Sequence, residues 1–314
     1  MQGMVPAAVR AALALLLVTS IAAGVAAAGV ADPSLPGRFP VGVATLVLPA
    51  PTLGRTFVAE VWYPAAHAGR DAPLRRGRFP LVVVVHGNCG FRTNYEYLTA
   101  ALAAHGFTVA APDMPGFVKA ACDAGHDDAG EVAAAPAEIG FLSSTFRRTD
   151  GPAAAFAPAV RRAKTGLVGH SLGGLAVVLA AVASPSYPAV VALAPAAGAP
   201  NGAALAAAPG PRRAVLAIGG SADATVPFDA LTVPFFAALA RPAFLVRIAG
   251  GTHSGFTDVD DRLAPAALAR QQLLVRRYAV AFLERWLAGR RRFARFLTPG
   301  DAAGQGADVT LARK

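Results

Sequence analysis

The sequence predicts an α/β protein built on a mostly parallel, eight-stranded sheet with helices on both faces. Three observations carry this expectation. Short β-branched runs alternate with alanine-rich helical stretches along most of the chain, the order expected of repeated strand–helix–strand units. Two of the runs, LVVVV at 81–85 and VVALA at 190–194, are continuously apolar rather than alternating, as in strands covered on both sides. At 314 residues, 54% hydrophobic and 15% charged, the chain can bury the core of one large domain, and its composition excludes disorder.

Residues 1–28 read as a secretory signal peptide. Arg10 is followed by an apolar stretch that ends at Ala26-Ala27-Ala28, an A-x-A cleavage pattern. The rival reading is an uncleaved anchor, because residues 11–30 come to about the 20 that a membrane span needs. The many alanines and glycines make the stretch weakly hydrophobic and favour cleavage. An exported protein is therefore expected, with membrane contact only through this segment if it is retained.

The folded domain is expected over 29–298. Strands are predicted at 43–48, 57–63, 81–86, 108–112, 166–169, 190–194, 214–219 and 244–249, and helices at 94–104, 172–183, 228–239 and 266–287. The last helix spaces Val275, Tyr278, Ala279, Phe282 and Trp286 by three and four, an apolar stripe for the sheet. Between them, 116–158 loses the pattern and is expected to be an irregular insert over the sheet edge, where substrate contacts often sit. Residues 299–314 are small and polar and are expected to form a flexible C-terminal tail.

The net charge of +10 comes mostly from arginines spread along the chain, with no nucleic-acid motif beside them, so a nucleic-acid partner is not expected. Only Cys89 and Cys122 are present. In an exported chain such a pair suggests a disulfide, the alternative being two buried thiols. Neither lies in a zinc-type spacing, and no metal or other cofactor is expected.

GLVGHSLGG at 166–174 ends an apolar run with a serine among glycines just before a predicted helix. Gly169-His170-Ser171-Leu172-Gly173 fits G-x-S-x-G, in which the serine sits on a strained strand-to-helix turn that flanking side chains would crowd. A neutral serine needs a base, and in this architecture the acid and then the histidine follow it in the chain. His253, after the last predicted strand, is the only histidine beyond His170. Asp223, after the preceding strand, is placed to orient its ring. Asp229, Asp258, Asp260 and Asp261 are the other carboxylates in reach, with helix capping as their simpler role. For the oxyanion, the backbone N–H of Leu172 and that of Asn88 are the expected donors, with Cys89 as the alternative to Asn88. His86 and His170 are read as packing and hydrogen-bonding residues.

Together, HG at 86–87, GHSLGG at 169–174, GSADATVP at 220–227 and GGTHSGF at 250–256 resemble the α/β-hydrolase superfamily over 39–287. VWYPA followed by PLVVVVHGNCGFRTNYEYLTAALAAHGFTVAAPDMPG is similar to its branch of platelet-activating-factor acetylhydrolases, chlorophyllases, dienelactone hydrolases and bacterial polyesterases. The resemblance implies an α/β-hydrolase fold and a cofactor-free carboxylic ester hydrolase. Dienelactone hydrolases use a cysteine where this chain has Ser171. Polyesterases carry a tryptophan after the strand beyond the elbow helix, where this chain reads ALAPAAG.

The function expected is a secreted serine esterase acting through an acyl-enzyme on a small-molecule or lipid-like ester with an apolar part. Phe91, Tyr95, Phe117, Phe141 and Phe256 are the candidate pocket wall. Lipase, acyltransferase or peptidase action on the same triad, or a non-catalytic binding protein of this fold, are the alternatives. The sequence leaves oligomeric state open.

Overall fold

A computed structural model describes residues 30–314 except 126, 127, 212, 259 and 261, with the backbone but not the side chains of 128, 162 and 163. The signal-peptide segment 1–28 and Asp261 lie outside the described residues. The strands, in chain order, are β1 (Val41–Ala50), β2 (Arg55–Pro64), β3 (Gly69–Arg70), β4 (Phe79–Val85), β5 (Thr108–Pro112), β6 (Val160–His170), β7 (Ala189–Leu193), β8 (Ala214–Gly220), β9 (Ala243–Ile248) and β10 (Val309–Arg313). They form one sheet in the order β10-β9-β8-β7-β6-β4-β5-β2-β1-β3. The run from β9 to β5 is parallel. β2 joins β5, and β10 joins β9, antiparallel.

All eight predicted strands are present, and β3 and β10 are additional. The residues expected as a flexible tail instead form a helix, Pro299–Gln305, and the edge strand β10. Val309 and Leu311 alternate inward along β10 and are buried, while Thr298 caps the helix by accepting from Asp301 N. The unit that gathers this core accordingly runs from Pro33 to Lys314.

The helices are α1 (Glu96–Ala104), α2 (Lys119–Asp123), α3 (Asp128–Thr145), α4 (Ser171–Ala183), α5 (Ala199–Ala207), α6 (Val233–Ala238), α7 (Pro265–Trp286) and α8 (Pro299–Gln305). α1 packs with α7, while α3, α4, α5 and α6 pack in succession, so each sheet face has its own helical layer. Alternation along β4 serves both. Leu81, Val83 and Val85 enter the core shared with α3 and α4, and Gly166 on neighbouring β6 is pressed by Leu283 and Leu287 beside Val82. The α7 stripe is buried as expected at Val275, Tyr278, Ala279 and Phe282. Removing a side chain such as that of Phe282 costs about 3–5 kcal/mol at such a site.

The insert 116–158 is not irregular. α3 occupies 18 of its residues and supplies Ala135, Ile139 and Leu142 to the core, a helical stripe of period near 3.6 that Phe146, just past the helix end, continues. Pro136 lies inside the helix, where its ring and missing N–H normally argue for a break. Topology overrides that local signal. β5 and β6 flank β4 in one parallel arrangement, and parallel strands need a crossover, which α3 provides.

Candidate active site

β4 connects outward to β5 on one side, while β6 takes up its other side. The crevice beyond the carboxyl ends of β4 and β6 is therefore a topological switch point, where open parallel sheets bind ligands. Asn88 enters it from the loop after β4 and Ser171 from the end of β6.

Ser171 has φ of 56°, a left-handed conformation that only a tight turn imposes on a residue with a side chain. The glycines around it are required by space. A Cβ at Gly169 would lie 2.2 Å from the Gly173 carbonyl oxygen, and one at Gly173 would lie 2.2 Å from that of His86. The strained turn holds the serine at the first residue of α4, facing a cleft of about 200 Å³. His253 lines the same cleft.

His253 Nδ1–H donates to Asp223 Oδ2 at 2.8 Å. The other carboxylate oxygen, Oδ1, accepts from Thr225 N and Val226 N at 2.9 and 2.8 Å. Asp223 is thereby fixed by its own turn after β8, and its side chain is fully buried. The His253 loop is held by Thr252 and Gln271. Thr252 N donates to Gln271 Oε1, Gln271 Nε2 donates to the Thr252 carbonyl, and Gly255 N donates to Thr252 Oγ1.

The competing carboxylates have other tasks. Asp258 accepts from Glu96 N and Tyr97 N at 2.6 and 3.0 Å, capping α1 from a distant loop. Asp260 accepts from Thr252 Oγ1 and Arg262 N. Asp229 is exposed in the turn before α6.

The two flanking histidines are structural, as expected. His86 Nδ1–H donates to the Gly87 carbonyl and Nε2 accepts from Met114 N, so the ring is neutral, and burial lowers its pKa. His170 lies under His253, ring centroids 4.5 Å apart. Burial, and then the charge of His253, hold His170 well below the ordinary histidine range.

Cys89 and Cys122 form a disulfide with a Cα–Cα distance of 5.7 Å. It ties the loop after β4 to α2. A bridge between Gly90 and Val118 joins the same two segments, and Cys89 itself is left-handed with φ of 58°.

The aromatic candidates separate. Only Tyr95 lines the cleft. Phe117 is buried against His86 and Phe256 against His170. Phe141 stacks on Phe57 and borders a different hollow of about 340 Å³ with Leu48 and Arg148. Phe91 is exposed and does not line the cleft. Contacts made across the chain decided these outcomes, and nearness in sequence to the motifs did not reveal them. In their place the wall presents Asn88, expected from the sequence only as a backbone donor, together with Asn94, Ser254 and Thr257, short polar loop residues that carry no distinguishing pattern in the sequence. The chain's two tryptophans, Trp62 in β2 and Trp286 at the end of α7, lie outside the cleft.

Among the described residues no group of His, Cys, Asp and Glu is placed to hold a metal ion, and no helix is long and apolar enough to cross a membrane. The sheet order, the helical layers and the strained serine turn define an α/β-hydrolase. Residues 56–312 match the family described as PET hydrolase-like, and the chain belongs to that family. No curated protein matches the chain. Membership implies a hydrolase of esters.

Proposed function

We propose that the chain is an exported serine carboxylic ester hydrolase that works through an acyl-enzyme. The observation that carries this is the convergence of Ser171, on a left-handed turn, and an Asp223-oriented His253 on one cleft. Ser171 Oγ attacks the ester carbonyl while His253 Nε2 takes its proton. Asp223 keeps the ring in the tautomer with Nδ1–H and stabilises the imidazolium. Charge on the carbonyl oxygen is met by the N–H of Leu172, at the start of α4, and that of Asn88. His253 then gives its proton to the leaving alcohol, and water, activated by the same nitrogen, releases the acid.

The polar wall alters the substrate expectation. With Tyr95 the only aromatic of the five candidates at the cleft, the wall itself no longer argues for an apolar part, and that expectation rests on the PET hydrolase-like family match. Esters whose acyl part is short or carries hydrogen-bonding groups fit Asn88, Asn94, Ser254 and Thr257 better. Export is supported by the disulfide, which persists in oxidising compartments, and by the A-x-A pattern of the leader.

The test is turnover of p-nitrophenyl acetate, butyrate and octanoate by the wild type and Ser171→Ala. Hydrolysis of the shorter esters that is lost in the variant is expected. Equal turnover in both would place the chemistry elsewhere, and a preference for octanoate would restore the apolar pocket. Added alcohol acceptor separates hydrolysis from acyl transfer.

A further inference from the structure

We propose that Tyr95 is a positioning residue of this site, its hydroxyl tying the loop that carries Asn88 to the strand end that carries Ser171. The inference rests on the serine-hydrolase reading above. Tyr95 is 2% exposed. Its oxygen accepts from Gly87 N at 3.1 Å and lies 2.9 Å from His170 Nδ1. A buried phenol needs an acceptor for its own proton, and His170 Nδ1 supplies one. The sequence of donors is therefore Gly87 N–H to Tyr95 Oη, then Tyr95 O–H to His170 Nδ1. Each end of this link is one residue away from a reacting element, since Gly87 precedes Asn88 and His170 precedes Ser171.

The space between the two loops is already tight. A Cβ at Gly87 would lie 3.2 Å from both His170 Nδ1 and Ser171 Cβ. The phenol thus sets the separation between the proposed oxyanion donor and the nucleophile at a contact that has no slack.

Tyr95 is also joined to the third loop. Asn94 O accepts from Asp258 N, and Asp258 in turn accepts from Glu96 N and Tyr97 N. Tyr97 Oη donates to the Phe256 carbonyl at 3.1 Å. The residues on either side of Tyr95 are therefore bonded to the segment that follows His253, and the His170 ring that receives the Tyr95 proton packs under the His253 ring. Burial pushes the Tyr95 phenol up, which keeps it a donor. A phenylalanine would fill the same volume, so the hydroxyl is the part that performs this task.

The experiment compares Tyr95→Phe, His170→Asn and His170→Leu with the wild type. Asparagine is chosen because its Oδ1 is attached to Cγ as Nδ1 is in histidine and so keeps an acceptor for the phenol. The readouts are kcat and KM on a short soluble ester, affinity for a boronic acid that mimics the tetrahedral adduct, and hydrogen exchange at the Gly87 amide. Tyr95→Phe is expected to lower kcat about 10- to 100-fold, the range that a small misplacement of a reacting group brings. KM stays close to the wild-type value, boronic acid affinity falls in step with kcat, and Gly87 exchanges faster. His170→Asn keeps kcat well above that of His170→Leu.

A Tyr95→Phe enzyme that melts earlier but retains wild-type kcat and boronic acid affinity overturns the proposal. Should that variant fail to fold, equal kcat in His170→Asn and His170→Leu overturns it instead. A wild type that a fluorophosphonate does not label at Ser171 overturns the serine-hydrolase reading itself and the proposal with it. Normal labelling with an unaffected Tyr95→Phe overturns the link alone.

Discussion

His253 and Asp223 are 30 residues apart and meet through a 2.8 Å hydrogen bond, Nδ1–H to Oδ2. They reach each other because β8 and β9 are parallel neighbours, so the loops that leave their carboxyl ends open on the same edge of the sheet. With Oδ1 held by two backbone amides, Oδ2 is the one oxygen of Asp223 left to direct toward the ring.

Asp223→Asn separates this orienting role from mere packing. The carbonyl of asparagine can keep the bonds to Thr225 N and Val226 N, which presents its NH2 to His253 and forces the ring into the tautomer that cannot accept a proton at Nε2. A loss in kcat of about 10⁴ is expected, the size that a wrong tautomer brings to a Ser-His-Asp triad, with little change in melting temperature. Activity near the wild-type level would mean that another group orients the base, and Asp258 is not free to do so while it caps α1.

Ser171→Ala and His253→Ala test whether the pair acts as one unit. Each alone is expected to remove nearly all turnover, and the double variant is expected to lose little more, because groups in one mechanism are not additive. Stopped assays on purified, folded variants decide it. Multiplying losses would separate the two residues into independent roles.

The Cys89–Cys122 bond closes a loop with a sequence separation of 33, for which chain entropy gives about 4 kcal/mol of stabilisation. Reduction is expected to lower the melting temperature by on the order of 10 °C. It should also slow turnover, because Cys89 adjoins Asn88. Double alanine substitution measured alongside reduction gives the same comparison. A lower melting temperature with unchanged kcat would confine the disulfide to stability.

Glu284 gives a pH signature unrelated to catalysis. Its carboxyl is buried, and desolvation, partly offset by the paired Arg290, raises its pKa from 4.5 to about 7. The folded state therefore binds the proton more tightly than the unfolded chain. The stability that this contributes is present below pH ~4.5 and is lost as pH rises to ~7, a change on the order of 3 kcal/mol at about 1.4 kcal/mol per pH unit. Thermal melts from pH 4.5 to 8 should show the wild type losing ground to Glu284→Gln across that window and running parallel to it above. A constant difference would contradict the shift.

The eight main strands and the order Ser171, Asp223, His253 were legible because they depend on local pattern: apolar runs, glycines around one serine, and a histidine after the last strand. What escaped depends on contacts across the chain. α3 was hidden by Pro136, and only the need to cross from β5 to β6 explains it. The C-terminal strand was hidden by its shortness, and its partner β9 lies some 60 residues earlier. Phe117, Phe141 and Phe256 resemble pocket residues by position in sequence, yet each points into packing. Tyr95 reads as an ordinary aromatic until its hydroxyl is seen between Gly87 and His170, 75 residues from the latter.

The central claim, that Ser171 is the nucleophile, is tested most directly by locating a covalent adduct. Folded protein incubated with a fluorophosphonate and digested for mass spectrometry is expected to carry one phosphonyl group, on the peptide containing Ser171. Ser171→Ala should carry none, and Asp223→Asn should react far more slowly. A folded wild type that stays unlabelled, or that is labelled at another serine and keeps that label in Ser171→Ala, would contradict the assignment.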